Sequence, residues 1–259
     1  MIQSLAQRIS AAAHRDLPHA NPLSPTQFDA LVQAIASVRP RKVLDIGCGW
    51  GSFAFALAAA CDADILAIDI NQEFLTRART LAADRALIGR IEFRDVAAEA
   101  LRDEHHDAVV CIGASQAFGT PLEALTRCAA LMSAEGTLLF ADMVWTAEPA
   151  PEFLDLLGTE RSTFWMQADA ESAFATAGLR IVRDEVTSAA SWQAYEDAIH
   201  RGRLRFAETL DAAEAVVVRA RATSWTAAWQ RWGQHCLGFV GYVAVGAGTS
   251  GRESDVPPT

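Results

Sequence analysis

The densest chemical signal in the chain is the run Asp45-Ile46-Gly47-Cys48-Gly49-Trp50-Gly51. Alternate glycines permit a tight turn and let backbone N–H groups come close to a ligand. A second acidic residue, Asp69, follows in the segment AIDI at 67–70. A carboxylate at that place can accept hydrogen bonds from the two hydroxyls of a ribose. Two kinds of ligand compete for such a loop. A dinucleotide needs one more glycine, three residues after the second, so that its pyrophosphate can lie on a helix N-terminus. Ser52 fills that position here. Asp45 would also sit badly beside a pyrophosphate, whereas a carboxylate suits a ligand with an ammonium or sulfonium charge. A glycine-rich turn with no ligand is the plainest alternative.

These residues need elements on either side to hold them. Val43-Leu44-Asp45-Ile46 reads as a strand, and SFAFALAAA at 52–60 as the helix that follows the loop. ADILAIDI at 63–70 is a second strand, with a helix starting near Asn71. Ile91-Glu92-Phe93-Arg94 is a third strand and DAVVCIG at 107–113 a fourth. PLEALTRCAALM at 121–132 is a helix with proline well placed in its first turn, and GTLLFADMVW at 136–145 is a fifth strand. The stretch 146–153 (TAEPAPEF) reads as a connection, 168–177 as a helix and 179–188 as a sixth strand. Residues 192–232 read as helical and rich in arginine, and 238–246 as a seventh strand. Strands alternating with amphipathic helices predict an α/β fold: a doubly wound, mostly parallel seven-stranded sheet that takes its ligand at the strands' carboxyl ends. We expect an N-terminal helical cap at 1–38 and one domain at 39–248, with a helical insertion at about 190–236 before the last strand. Residues 249–259 are expected to be a disordered tail.

On these residues the chain resembles the class I S-adenosylmethionine-dependent methyltransferases, whose fold is Rossmann-like. VLDIGCGWG matches their first motif and AIDI the acidic second one. FRDVAAEA, DAVVCIGASQAFG and LMSAEGTLLFADMVW match the units that follow, so the resemblance covers roughly 43–145. More loosely, the NPLS segment, CIGASQAFG and WQAYE look like a group of bacterial small-molecule methyltransferases. The resemblance implies that Asp45, Gly47, Cys48 and Gly49 hold the methionine end of S-adenosylmethionine. It further implies that Asp69 binds the ribose, Ile70 lines the adenine pocket, Asp95 and Val96 define the adenine edge, and Cys111, Ile112 and Gly113 run beneath the sulfonium. Asp95 could instead cap a helix, and Cys111 could be a small buried hydrophobe.

Methyl transfer of this kind is an in-line displacement that releases S-adenosylhomocysteine and requires no fixed triad; the protein aligns and desolvates the acceptor. Candidate catalytic residues are Gln116 after the fourth strand, Asp142 at the end of the fifth and His19 in the cap. Asp142 either takes the acceptor's proton or caps a loop. Asn21, Trp145, Trp165, Trp192 and Tyr195 are candidate substrate contacts, since flat rings suit a planar or cationic acceptor; packing of the insertion is their other role. Trp225, Trp229 and Trp232 form a stripe on one helix face, read as core or a dimer contact. Arg201, Arg203 and Arg205 cannot share one helix face and are read chiefly as solvated.

The composition narrows the partners. With 22 basic and 32 acidic residues the formal charge is −10, which disfavours nucleic acid and anionic membranes. No run approaches the roughly 20 apolar residues of a membrane span, and no signal peptide is evident. The five cysteines lack CxxC spacing, so neither disulfides nor a metal site are expected, and a cytoplasmic protein is. The expected partner is a small-molecule acceptor, with the chain a monomer or homodimer. The rival classes are an NAD-dependent oxidoreductase, disfavoured by Ser52 and by a lone lysine, Lys42, and a non-catalytic cofactor-binding regulatory protein.

Overall fold

In β1 (Lys42–Ile46) Val43 packs into one apolar cluster and Leu44 into another. A strand buried on both faces belongs inside a parallel sheet that helices cover on each side. The computed structural model describes residues 4–85, 87, 89–101 and 104–248. The tail expected at 249–259 lies outside them. Seven strands form one sheet in the order β3-β2-β1-β4-β5-β7-β6, with β2 at Asp64–Asp69, β3 at Ile91–Asp95, β4 at His106–Ile112, β5 at Met132–Trp145, β6 at Leu179–Val186 and β7 at Leu237–Gly246. The sheet is mixed, because β7 runs antiparallel to both β5 and β6. The chain reverses its winding between β1 and β4, and the open crevice of such a sheet lies at that reversal, outside the carboxyl ends of the strands.

Helices α2 (Pro25–Ser37), α3 (Ser52–Ala60) and α4 (Gln72–Asp84) cover one face through Leu31, Phe53 and Leu75. Helices α5 (Pro121–Ala130) and α7 (Ala170–Thr176) cover the other through Leu125 and Phe174. Local signals set the helix starts. Thr120 and Glu123 close a capping box around Pro121, as Ser24 and Gln27 do around Pro25. One stretch departs from the sequence reading: the expected connection at 146–153 runs into α6 (Pro151–Leu157). Proline at the first helical position and burial of Phe153 against Trp145, Trp225 and Trp232 drive it. At two turns, α6 is too short to show a period in sequence.

Two helical pieces lie across the carboxyl edge of the sheet. Helix α1 (Leu5–Ala13) reaches the end of β2, where Gln7 Nε2 donates to the Ile70 carbonyl at 3.5 Å and Asn71 Nδ2 donates to the Gln7 carbonyl at 3.1 Å. At the far side Gln27 Nε2 donates to the carbonyl of Val186, the last residue of β6, at 2.6 Å. The second piece comprises α8 (Ala189–Ala207) and α9 (Ala212–Ala228), followed by a π turn at Trp229–Gly233. Gly202 of α8 lies so close to α1 that a Cβ there would stand 2.5 Å from the Ala13 carbonyl oxygen. The tryptophan stripe is not an open face. Trp229 is buried and stacks on Trp192 at 5.4 Å, and the indole N–H groups of Trp225 and Trp192 both donate to the buried Glu196. The three arginines also separate: Arg205 pairs with Asp16 of the cap, while Arg203 is half-buried beside Glu196 and Tyr195.

Candidate active site

The glycine loop is wedged between strand ends. Gly47 has φ +68°, and a Cβ on it would fall 2.3 Å from the Cβ of Ala114 in the loop after β4. Only glycine satisfies both limits. Gly49 (φ +55°) differs, since nothing lies within 4 Å of where its Cβ would be. Its N–H donates to Asp69 Oδ2 at 2.8 Å, and the Asn71 N–H donates to Asp69 Oδ1 at 2.7 Å. Burial raises the Asp69 carboxyl, and these N–H donors oppose it.

Asp45 is in the contrary state. It is 3% exposed, and its Oδ2 is buried without a hydrogen-bond partner. Burial first, and the neighbouring Asp69 charge second, push its carboxyl up to about 7. Burial and the same two carboxylates raise the adjacent Cys48 thiol, which is therefore neutral. Beyond them Ile70 is 58% exposed, an unusual position for isoleucine. Asp95 lies on the exposed end of β3, bonded by the Gln72 amide, and Val96 is half-buried beside it. Cys111 is buried at the end of β4, paired in register with Ile46 of β1. Ile112 is half-buried and Gly113 exposed. The eleven residues expected to form the cofactor site thus come from the ends of β1, β2, β3 and β4, and all lie along one edge.

The expected catalytic residues are not gathered at one point. Asp142 is 3% exposed; it accepts from the Ser115 N–H at 3.2 Å and the Met143 N–H at 2.7 Å, so it ties the loop after β4 to β5. Burial raises its carboxyl. Gln116 is exposed, with its amide donating to the Gly113 carbonyl at 3.4 Å. His19 is buried in the cap, stacked on Phe28 at 4.5 Å, with Nε2 2.7 Å from the Leu23 carbonyl oxygen. A ring nitrogen facing a carbonyl must carry the proton, which leaves Nδ1 as the acceptor. Burial lowers the pKa of His19, favouring the neutral ring.

Of the candidate substrate contacts the structure joins two, together with the catalytic candidate His19. His19, Asn21 and Tyr195 line one cavity of about 200 Å³, which Ser191 of α8 also lines. Asn21 there accepts from the Leu23 N–H at 3.2 Å. The tryptophans are elsewhere. Trp145 is fully buried, with its indole N–H donating to the Arg161 carbonyl at 2.9 Å. Trp165 packs on Phe140 and Phe174, and Trp192 on Trp229 and Phe239. Their area is used to fix the insertion and the sheet, so the reading of them as ligand walls is corrected to core packing. Sequence reasoning missed His14. It bonds Tyr195 Oη through Nε2 at 2.8 Å and lies 6.4 Å from the ring of Trp50 in the glycine loop. Only its place at the end of an amphipathic helix hinted at burial.

Comparison with known proteins agrees with this architecture. A family described as a methyltransferase domain matches residues 43–136, the span of β1 to the start of β5. That segment matches a methyltransferase domain, and the chain as a whole has the fold of S-adenosylmethionine-dependent methyltransferases. It is 27% identical over 141 residues to a ubiquinone biosynthesis O-methyltransferase of Alkalilimnicola ehrlichii, covering 53% of this chain and 55% of that one. It is 32% identical over 115 residues to the protein of the same name from Methylococcus capsulatus, covering 43% and 47%. The chain thus spans about half the length of the curated relatives it matches. Among solved structures, a methyltransferase of Geobacter sulfurreducens in complex with S-adenosylhomocysteine superposes with a TM-score of 0.83 at 22% identity, covering 92% of this chain and 98% of that chain. A counterpart from Thiobacillus denitrificans, also with S-adenosylhomocysteine, gives 0.82 at 23% identity, covering 92% and 98%.

Proposed function

We propose that the protein transfers a methyl group from S-adenosylmethionine to a small-molecule acceptor, leaving S-adenosylhomocysteine. One observation carries this reading: a fully buried carboxyl, Asp45, with an unbonded oxygen at the head of a glycine loop. A buried acid without a partner is costly, and an ammonium or sulfonium ligand removes that cost. The residues fit such a ligand. Asp45 would face its cationic end, the open side of Gly49 would admit it, Asp69 would accept from ribose hydroxyls, and exposed Ile70 would cover an adenine. When bound, the cofactor supplies an activated methyl group that leaves by in-line displacement.

The chain's own residues supply the remaining work. In this reading the acceptor occupies the cavity lined by His19, Asn21 and Tyr195. His19 Nδ1, on a ring that burial favours as neutral, is the atom available to take a hydroxyl proton. Asp142 holds the Ser115–Gln116 turn and leaves Gln116 to donate to acceptor or cofactor. The relatives' names favour an oxygen acceptor. No helix among the described residues is long and apolar enough to cross a membrane, and the five free thiols fit the cytoplasm as the proposed compartment.

Calorimetric titration with S-adenosylhomocysteine tests the reading, with NADH as control and Asp69→Ala as the second sample. Micromolar binding of the first ligand alone, lost in the variant, is the expected outcome. Binding of NADH instead, or of neither, overturns it. Once binding is established, release of S-adenosylhomocysteine across a panel of hydroxylated aromatic acids reads the acceptor.

A further inference from the structure

A cavity of about 770 Å³ adjoins the smaller one beneath the cap and shares Leu17, Pro18, His19 and Pro25 with it. It is a trough on the outer side of the α3–α4 layer, walled by the cap loop. Its floor is apolar: Trp50 and Phe55 at the ends of the loop and first turn, then Ala56 and Ala59, whose small side chains leave the depression. Arg77 of α4 and Arg85, the residue that ends it, reach over that floor. The Arg77 guanidinium lies 4.4 Å above the Trp50 ring and the Arg85 guanidinium 4.7 Å above the Phe55 ring.

Neither arginine has a carboxylate within salt-bridge distance among the described residues. Arg77 is also partly desolvated, which lowers its pKa, and donates to the Arg15 carbonyl at 3.0 Å. A guanidinium lying flat on a ring still points its N–H edge outward, where it can pair with an anion. Asp29 on the opposite wall repels such an anion and directs its head toward α4.

We infer that this trough is a second ligand site, which adjoins the proposed acceptor cavity at Leu17, Pro18, His19 and Pro25, for an elongated amphiphilic carboxylate. Its head pairs with Arg77, and its apolar body lies along Ala56 and Ala59 under Arg85. Charge complementarity and the shape of the floor both select this class. An uncharged chain of the same length lacks the head, and a short anion leaves the floor wet.

Calorimetry of the full chain with dodecanoate below its micelle concentration provides the test. Dodecan-1-ol and phosphatidylglycerol vesicles are the comparison probes. Dodecanoate is expected to bind. Arg77→Gln should weaken it at least about tenfold, as expected for loss of one charge-assisted contact, and Arg85→Gln should weaken it less. Ala59→Phe, an exposed position, should block the floor without harming the fold, which melting curves and unchanged S-adenosylhomocysteine binding would confirm. The inference is overturned if dodecanoate does not bind, if dodecan-1-ol binds equally well, if Arg77→Gln or Ala59→Phe binds as wild type, or if only vesicles bind.

Discussion

Asp45 and Asp69 flank one glycine loop from adjacent parallel strands in opposite states. Asp69 receives two backbone N–H donors, while Asp45 keeps a buried oxygen with none. Asp45 pairs with Ala67 across the ladder, so Asp69 lies two residues further along β2, and its charge adds to the burial that raises Asp45. The unliganded site is therefore held in a strained electrostatic state that a cation relieves.

Ligand binding should then be linked to a proton. Asp45 titrates at about 7 in the free protein, whereas an ammonium partner requires the carboxylate. Affinity for S-adenosylhomocysteine should rise with pH up to about 7, by at most tenfold per pH unit, and level off above it. About one proton per site should be released near pH 6. Calorimetry in buffers of different ionisation enthalpy measures both. Asp45→Asn should flatten the profile and weaken binding at pH 8 by tenfold or more; a variant that keeps the wild-type slope would assign it to another group.

The same carboxyl should limit the stability of the unliganded protein. Its folded value of about 7 is raised above the usual 3.8, so between these values the native chain holds a proton that the unfolded chain releases. Stability from this group is fully present below pH 4 and declines as pH rises to 7, by up to about 4 kcal/mol. Asp45→Asn should melt higher than wild type at pH 8 and nearly level with it at pH 4.5. Thermal melts at the two pH values decide it, and an equal offset at both would mean that packing rather than charge governs the difference.

Much of the sheet was legible because parallel strands buried on both faces make short apolar runs between turn signals, as in Val43–Ile46 and at 107–113. The glycine loop was legible because its constraint is backbone geometry, which only one residue type meets at Gly47. Side-chain partners were not. Nothing in the order of residues indicates that His14 bonds Tyr195, or that Trp225 joins Trp192 on Glu196, since both contacts cross from one helix to another; only Trp192 and Glu196 are neighbours on one helix. Trp145 and Trp165 illustrate the same limit. Aromatic content suggests a ligand lid, but in the fold Trp145 is buried and the half-buried Trp165 packs its ring on Phe140 and Phe174.

Two glycines should separate the site from its cap. Gly47→Ala meets a left-handed φ and the Ala114 Cβ together, and should cost roughly 2–5 kcal/mol and abolish S-adenosylhomocysteine binding. Gly202→Ala meets only the Ala13 backbone at the α1–α8 crossing. It should leave the sheet intact but loosen α1, so that trypsin cleaves after Arg8 and Arg15 several-fold faster. Urea melts and limited proteolysis read the two effects. Fast cleavage in Gly47→Ala with none in Gly202→Ala would reverse the assignment.

Glu196 should fix the insertion through its two indole donors. Its carboxylate accepts from Trp225 Nε1 at 2.6 Å and Trp192 Nε1 at 3.3 Å, and Arg203 provides positive charge nearby. Glu196→Ala strands both N–H groups in a buried setting and removes the counter-charge of Arg203, which should cost roughly 2–5 kcal/mol. Glu196→Gln keeps one carbonyl oxygen and can serve one indole, so its loss should be about half as large. Burial raises the Glu196 carboxyl above its usual 4.5, so the stability from this group falls as pH rises from 4.5 through its folded value. The glutamine variant should lack that decline. Urea melts at pH 5 and pH 8, followed by tryptophan emission, measure both effects. If the alanine and glutamine variants lose the same stability at both pH values, the carboxylate is a space-filler and the indole hydrogen bonds do not hold α8 to α9.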